Sequence, residues 1–125
     1  MARPDAVRRV KSYSAANGFV YQYFFFEVNR LTDSDGPSGA FLYAVTSDRK
    51  HAFAVRILVR QSALQDWARI NGRALSGSEE YAVAKMRLFR AFDDGAVPPD
   101  MPPETVLTFS VDGGNLEELL QSLNI

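Results

Sequence analysis

Residues 19–31 have the sequence FVYQYFFFEVNRL, and this stretch determines how the rest of the chain is interpreted. Aromatic side chains favour the pleated, packed surface of a β-sheet, so we predict a strand here. Side chains alternate between the two faces of a strand, and in this strand both sets are largely apolar. One set is Phe24, Phe26 and Val28, and the other is Phe19, Tyr21, Tyr23, Phe25 and Glu27.

Apolar residues on both sides mean that the second face of this strand must also be covered. A sheet with one face in water alternates apolar and polar residues, and this strand does not. Three covers remain open: the proline-rich residues 97–104, a ligand, or another copy of the chain. We expect Ala44, Ala52 and Ala54 on the same face, where small side chains would leave a groove beside the tyrosines. Large exposed apolar patches mark interaction sites, so we expect a homodimer or partner interface unless residues 97–104 cover the face.

The remaining pattern predicts one α+β domain over residues 1–125, with elements in the order ββββααβα. Period-two alternation and turn residues predict further strands at residues 7–15, 40–46, 51–60 and 105–111. TDSDGPSG at residues 32–39 indicates a turn-rich loop, and four prolines exclude a regular element from residues 97–104. We expect a mainly antiparallel sheet of four to five strands with the helices packed on one face. The place of the fifth strand in the sheet is left open.

Helix boundaries are predicted from capping residues. Ser62 with Gln65, and Ser76 with Glu79, have the spacing of a capping box, in which each side chain bonds the backbone N–H of the other residue. Asn-Gly and Gly signals predict where these helices end. The predicted helices run from Ser62 to Gly72, from Ser76 to Asp94 and from Asn115 onward.

Two interpretations of the N-terminal residues remain open. Residues 7–15 form a strand that turns at Asn17-Gly18, a strong hairpin signal. Alternatively, Pro4-Asp5 opens a helix that Asn17-Gly18 closes. We favour the strand, because residues 10–14 lack a helical apolar stripe.

The composition is that of a globular protein, with 46% hydrophobic and 23% charged residues. The chain has no cysteine, which excludes disulfides, thiolate nucleophiles and cysteine-based metal sites. The first eleven residues are charged and lack the apolar core of a secretory signal, and no apolar run approaches the roughly 20 residues of a membrane helix. We therefore expect a cytoplasmic protein without membrane contact.

Charge is distributed unevenly along the chain. Residues 1–60 carry nine Lys and Arg against five Asp and Glu, whereas residues 61–125 carry five against ten. The basic first half keeps nucleic-acid binding open as a second alternative function. We favour two halves that fold against each other, because the charges are scattered and the pI of about 5.8 is acidic. The basic residues in question are Arg8, Arg9, Lys11, Arg49 and Lys50.

No residue pattern identifies a catalytic centre, a cofactor or a metal site. His51 is the only histidine, and no helix carries a histidine–carboxylate pair at metal-ligand spacing. Ser47 and Lys50 have the Ser-x-x-Lys spacing of penicillin-recognising enzymes, but they lie in a predicted turn without the companion motifs of that class. Glycine-rich nucleotide-binding motifs are also missing. We predict no catalytic residue, no cofactor and no metal, and we favour a protein that is not an enzyme.

The candidate ligand-binding or interface residues lie on and beside the tyrosine-rich face. Glu27 ends this face, and we expect Arg56 to pair with it across strands. A polar residue on an aromatic surface is a common way to polarise a ligand pocket. A lysine of the long helix lies within an apolar arc and joins the set. The candidates are Tyr21, Tyr23, Phe25, Glu27, Arg56 and Lys85.

Together these observations predict a small binding domain that self-associates through an aromatic sheet face. The alternative is a ligand-binding protein or an enzyme with a pocket near Glu27 and Arg56. A dimer interface predicts buried tyrosines without a cavity, whereas an enzyme predicts a concave cleft with converging polar groups. The specific ligand, reaction or partner is not encoded in any motif.

Overall fold

Five strands and three helices make up the described part of the chain, residues 9–125, in this computed structural model. Their order is β1 (Lys11–Ser14), β2 (Val20–Asp33), β3 (Gly36–Thr46), β4 (Phe53–Arg60), α1 (Gln61–Asn71), α2 (Gly77–Asp93), β5 (Val106–Val111) and α3 (Leu116–Ser122). The strands form one sheet in the order β1-β2-β3-β4-β5. Neighbouring strands are antiparallel except β4 and β5, which are parallel. The predicted α+β class and mainly antiparallel sheet are confirmed, and the fifth strand takes the edge beside β4.

The helices pack on one face of the sheet, where the alternating apolar residues of β4 lie. Phe53, Val55, Ile57 and Val59 are all buried on this face. The helix residues in the same core cluster include Leu64 and Trp67 of α1, Leu88 and Phe92 of α2, and Leu119 and Leu120 of α3. Burial of a side chain of this size contributes about 1.5–3 kcal/mol, so this layer supplies most of the hydrophobic stabilisation. The helices α1 and α2 also form the crossover that parallel neighbours such as β4 and β5 require.

An aromatic cluster joins β1 and β2 to α2. The rings of Tyr13 and Phe89 stack with their centroids 4.2 Å apart. Tyr21 and Phe92 stack in the same way at 4.3 Å. The Asp93 carboxylate accepts a hydrogen bond from the Tyr13 hydroxyl at 2.7 Å. It accepts a second from the backbone amide of Ala16, in the turn after β1, at 2.9 Å. Since each aromatic pair adds about 0.5–1.5 kcal/mol beyond burial, the short strand β1 is held by α2 as well as by β2.

The strand interpretation of the N-terminal residues is confirmed where the structure describes them. Lys11–Ser14 pairs with residues 20–23 of β2, and the helical alternative is wrong over this range. Residues 7 and 8 of the predicted strand lie outside the described residues. The chain turns at Gly18, whose φ of +91° lies in the left-handed region that glycine adopts without strain.

The loop predicted at residues 32–39 is wrong, because β2 and β3 extend through most of it. β2 ends at Asp33 and β3 begins at Gly36, so only two residues lie between the strands. The Asp33 carboxylate accepts a hydrogen bond from the amide of Asp35 at 2.9 Å. It also accepts two from the guanidinium of Arg60 on β4, at 2.8 and 2.9 Å. This contact from a third strand stabilises strand pairing where the local sequence favours a loop.

One predicted capping box is confirmed and the other is wrong. The Ser76 side chain accepts a bond from the amide of Glu79, and the Glu79 carboxylate accepts one from the amide of Ser76. No such box forms at Ser62, because α1 begins at Gln61, directly after Arg60 of β4. Ser62 is therefore already inside the first turn of α1.

Residues 97–104 pass around one end of the sheet and do not spread over its second face. Val97 is buried, and its carbonyl accepts a 2.6 Å hydrogen bond from the Tyr21 hydroxyl. The Pro99 carbonyl accepts a bond from the Ser47 hydroxyl in the loop after β3. Pro103 then lines a groove on the opposite side of the sheet. The cover that these residues give to the second face is thus confined to its rim.

Two buried tyrosines provide a matched test of the core hydrogen bonds. Tyr21→Phe leaves the buried carbonyl of Val97 without this partner and should lower the free energy of unfolding by about 1–3 kcal/mol. The hydroxyl of Tyr43 is buried and has no hydrogen-bond partner within residues 9–125. Tyr43→Phe should therefore leave the free energy of unfolding unchanged or raise it. Urea unfolding followed by circular dichroism measures both values, and equal losses would contradict the assigned bond.

Alkaline pH should destabilise the protein in part through Tyr13. Burial, helped by the bond to the Asp93 carboxylate, raises the pKa of Tyr13 from 10.0 to about 12. In the unfolded chain this phenol loses its proton near pH 10, so the stabilisation is complete below pH 10 and is lost as the pH rises through 12. Denaturant titrations between these pH values should show a smaller loss of unfolding free energy for Tyr13→Phe than for the wild type. An identical pH dependence would contradict the assignment.

Candidate functional site

A β-bulge at Phe26 assigns the residues of β2 to the two faces of the sheet. Phe25 is opposite Tyr43, and Glu27 is opposite Leu42, so Phe26 is an extra residue between these two pairs. A bulge of this kind re-aims the side chains that follow it. Before the bulge, odd-numbered residues of β2 face the helices. After it, Glu27 lies on the other face together with Leu42.

The bulge divides the candidate residues predicted from the sequence between the two faces. Those on the side covered by the helices are Tyr21, Tyr23, Phe25 and Lys85, whereas Glu27 and Arg56 lie on the opposite side. The expected groove beside the tyrosines is therefore wrong, because the tyrosines lie beneath α2.

The four candidates on the helix-covered side pack in or against the core. Tyr21 is fully buried, Tyr23 is 4% exposed, and Phe25 meets a tyrosine of α2 edge to face at 5.1 Å. The Lys85 ammonium lies 6.0 Å from the ring centroid of Tyr23, a cation–π distance. Burial lowers the pKa of Lys85, and the nearby ammonium of Lys11 lowers it further. These contacts stabilise the domain and leave almost no tyrosine surface for a partner.

Glu27 and Arg56 share a row across the sheet but do not pair with each other. The strand β3 lies between them, and Leu42 occupies the position between the two side chains. Glu27 instead accepts a hydrogen bond from the side-chain amide of Asn29 at 2.8 Å. Arg56 donates one to the Thr108 hydroxyl at 3.2 Å. The expected ion pair is wrong because the backbones of strands two positions apart are separated by roughly 10 Å.

We call the side of the sheet opposite the helices the open face. Two adjacent rows of residues cross it, each with one side chain from β2, β3, β4 and β5. The first row is Phe24, Ala44, Ala54 and Val106, and the second row is Glu27, Leu42, Arg56 and Thr108. Every one of these residues is at least partly exposed. Val106 is half exposed, as are Val20 and Val28 of β2.

A groove of about 320 Å³ lies on the open face. Three alanines line it between larger side chains, and the full lining is Ala44, Ala52, Ala54, Phe26, Leu42, Tyr43, Phe53 and Pro103. A neighbouring hollow of about 230 Å³ shares two of the alanines and continues toward Tyr23, Phe24 and Arg49. The alanines thus leave a groove, as their small side chains predict, on the face of the sheet opposite the helices.

A second cavity, of about 350 Å³, lies between the β2–β3 hairpin and α2. Its lining includes Arg30 and Glu80, and burial raises the pKa of the Glu80 carboxyl. Its serine, Ser38, is fully buried and accepts a hydrogen bond from Arg60 at 3.2 Å. The structure of residues 9–125 contains no group of three or more His, Cys, Asp and Glu that is placed to hold a metal. The polar groups of this cavity therefore do not form a nucleophile–base pair or a metal site.

The polar residues of the loop after β3 bond within the loop. The Asp48 carboxylate accepts bonds from the amides of Lys50 and His51, both at 2.8 Å, and lies 2.8 Å from the imidazole of His51. The bond to this imidazole is the largest cause that holds the pKa of Asp48 below its ordinary value. The Ser47 hydroxyl donates to the Pro99 carbonyl. Ser47 is therefore engaged in loop structure, which argues against a nucleophile.

Comparison with known proteins assigns no family to the chain. No family model matches it, and neither characterised proteins nor solved structures give a match. Over the range that the structure describes, no helix is long and apolar enough to cross a membrane.

The candidate set drawn from the sequence omitted Phe24, Leu42 and Val106 of the open face. A signal for this face is present in residues 23–26, because four consecutive aromatic residues break the period of two. A break of this kind in an otherwise alternating strand is consistent with a bulge, which places Glu27 on the face opposite the tyrosines.

Deletion of Phe26 should be tolerated far better than deletion of a residue from a regularly paired strand. Without Phe26, Phe25 and Glu27 become consecutive opposite Tyr43 and Leu42, so every side chain of β2 keeps its face and the bulge becomes regular pairing. We expect this deletion to change the free energy of unfolding by about 1 kcal/mol. Deletion of Ala44 from β3 is the comparison, because one part of that strand must then turn its side chains to the wrong face, and it should cost at least about 3 kcal/mol. Similar urea midpoints for the two deletions would contradict the assigned bulge.

Proposed function

We propose that this protein is an interaction domain that self-associates through its open face. The observation that carries the proposal is an apolar surface that continues across four strands on the side opposite the helices. Phe24, Leu42, Ala44 and Val106 are typical of this surface, and none of them is fully buried. Soluble monomers rarely leave apolar residues together in this way, and such patches mark interaction sites.

The arrangement of polar residues also supports an interface. Gln22 and Thr46 lie opposite each other at one end of the two rows, and at the other end Asn29 of β2 and Ser110 of β5 flank the buried Ala40 and Leu58. An apolar centre with a polar rim is the usual anatomy of a protein–protein interface. A cytoplasmic location is part of the proposal, since small domains of oxidising compartments often carry disulfides and this chain has no cysteine.

The two alternatives have weaker support. A pocket near Glu27 and Arg56 would need polar groups that converge on a ligand, and these two residues lie on different sides of Leu42. Nucleic-acid binding would need cations beside exposed aromatics along one surface. Among the described residues, Lys11 and Lys85 lie at the helix-covered side, and the cations of the open face are Arg56, in one row with the acidic Glu27, and Arg49 at the hollow beside Phe24. Two separated cations do not form a basic track along one surface.

The solution mass tests self-association directly. Light scattering on a size-exclusion column over a concentration series should give about twice the chain mass of 13.9 kDa. Ala44→Arg places a charge at the centre of the open face and should give a monomer. The thermal stability of this monomer should equal that of the wild type diluted until it is monomeric. Ile70→Arg is the matched control, because Ile70 is 77% exposed on α1, away from the open face, and should leave the dimer intact. A wild-type mass of one chain throughout, or a dimer indifferent to Ala44→Arg, would refute the proposal.

A further inference from the structure

We infer that two copies stack through their open faces about a two-fold axis that runs along β3, and that Glu27 and Arg56 select this arrangement. In the resulting dimer, β2 of each copy lies over β4 of the other. The inference rests on the proposed self-association and adds the orientation of the partner and the residues that determine it.

Symmetry limits the possible arrangements to a few. A closed dimer uses the same patch on both copies, related by a two-fold axis. When two sheets meet face to face, this axis lies in the plane between them. Aligned sheets keep their strand directions within about 30° of each other. The axis therefore runs either along the strands or across them, and the two cases bring different side chains together.

With the axis along β3, the two rows of the open face are matched from copy to copy. Leu42 meets Leu42 of the second copy, and Ala44 meets Ala44, because these residues lie on the axis. Glu27 and Arg56 lie one strand to either side of Leu42 in the same row. Glu27 of each copy therefore lies over Arg56 of the other, so the dimer contains two equivalent ion pairs.

The shapes of the side chains in the first row agree with the same axis. Phe24 and Ala54 lie one strand to either side of Ala44. The axis along β3 places the ring of Phe24 over the small side chain of Ala54 in the second copy. The groove lined by Ala44, Ala52 and Ala54 provides space for a side chain from above. Packed sheets interdigitate large side chains with small ones in this way.

An axis across the strands places the charges poorly. In that case β2 lies over β2 and β4 over β4. An axis midway between the two rows brings Glu27 over Phe24 of the second copy and Arg56 over Ala54, and an axis along the second row brings like charges together. Both charges would lose water without gaining an opposite charge. A buried charge left without compensation is strongly destabilising. The charges therefore favour the axis along β3.

Arg56 has hydrogen-bond donors that remain available for a carboxylate of the second copy. Its guanidinium has five N–H groups, and within residues 9–125 it makes one hydrogen bond, to the Thr108 hydroxyl at 3.2 Å. Its Nε is buried and lacks a partner among the same residues. The aliphatic part of the Arg56 side chain therefore packs against the sheet. This packing orients the guanidinium before the second copy binds.

Charge reversal tests the pairing of Glu27 with Arg56. Glu27→Arg and Arg56→Glu should each weaken dimerisation at least about tenfold, because each places like charges together. The double variant restores both pairs with their signs exchanged, and its dissociation constant should return to within about threefold of the wild type. Arg69→Glu, on α1, is the matched control and should leave the dimer unchanged. Thermal unfolding at a concentration where every variant is monomeric separates lost association from lost folding.

Cross-linking tests the position of the axis independently of charge. The chain has no cysteine, so Leu42→Cys introduces a single reactive thiol on the predicted axis. A short bis-maleimide should link two Leu42→Cys chains rapidly. Thr108→Cys lies two strands from β3, so the two thiols of a dimer would be roughly 19 Å apart laterally and should link slowly.

The outcomes distinguish this inference from the proposed function. If the wild type is monomeric, self-association and the inference both fail. If the wild type is a dimer that Ala44→Arg dissociates, self-association stands. In that dimer, a double charge variant as weak as the single variants, or linking of Thr108→Cys as fast as Leu42→Cys, overturns the axis along β3. Restoration by the double variant together with selective linking at Leu42 supports it.

Discussion

The β-bulge at Phe26 is the constraint on which both faces of this protein depend. Side chains alternate along a regular strand, so one extra residue exchanges the faces of everything that follows it unless a bulge absorbs it. The bulge in β2 keeps Tyr21, Tyr23 and Phe25 under the helices and leaves Glu27 on the open face. Regular pairing of the same sequence would turn Glu27 toward the helices or expose a core aromatic. The bulge therefore fixes the core and the candidate interface at the same time.

The helix-covered side shows how a strand this aromatic is stabilised within one chain. The helix α2 lies along β1 and β2 and supplies Phe89, Phe92 and Asp93 to them. Residues 97–104 continue this cover at one end of the sheet, where the Val97 carbonyl satisfies the hydroxyl of Tyr21. The three helices of residues 9–125 all pack on this side. On the open face, apolar side chains therefore remain partly exposed, and Pro103 lies at the edge of this surface. That asymmetry links the fold to the proposed self-association.

The two rows of the open face give the proposed self-association its orientation. Large and acidic side chains come from β2, whereas small and basic ones come from β4, with Leu42 and Ala44 between them on β3. In the proposed dimer, these two halves complement each other across β3.

The sequence by itself determined the α+β class, the approximate elements and the capping box at Ser76, because each follows from local periodicity. It did not determine the faces of β2 or the position of the groove, since a bulge depends on pairing with β3. It also did not predict the hairpin through residues 32–39, which Arg60 of another strand stabilises. The sequence suggested that Glu27 and Arg56 pair, and only the strand order showed that Leu42 lies between them. Pairing, register and cover are long-range contacts, so the tertiary structure alone decided which aromatic residues lie in the core and which lie on the open face.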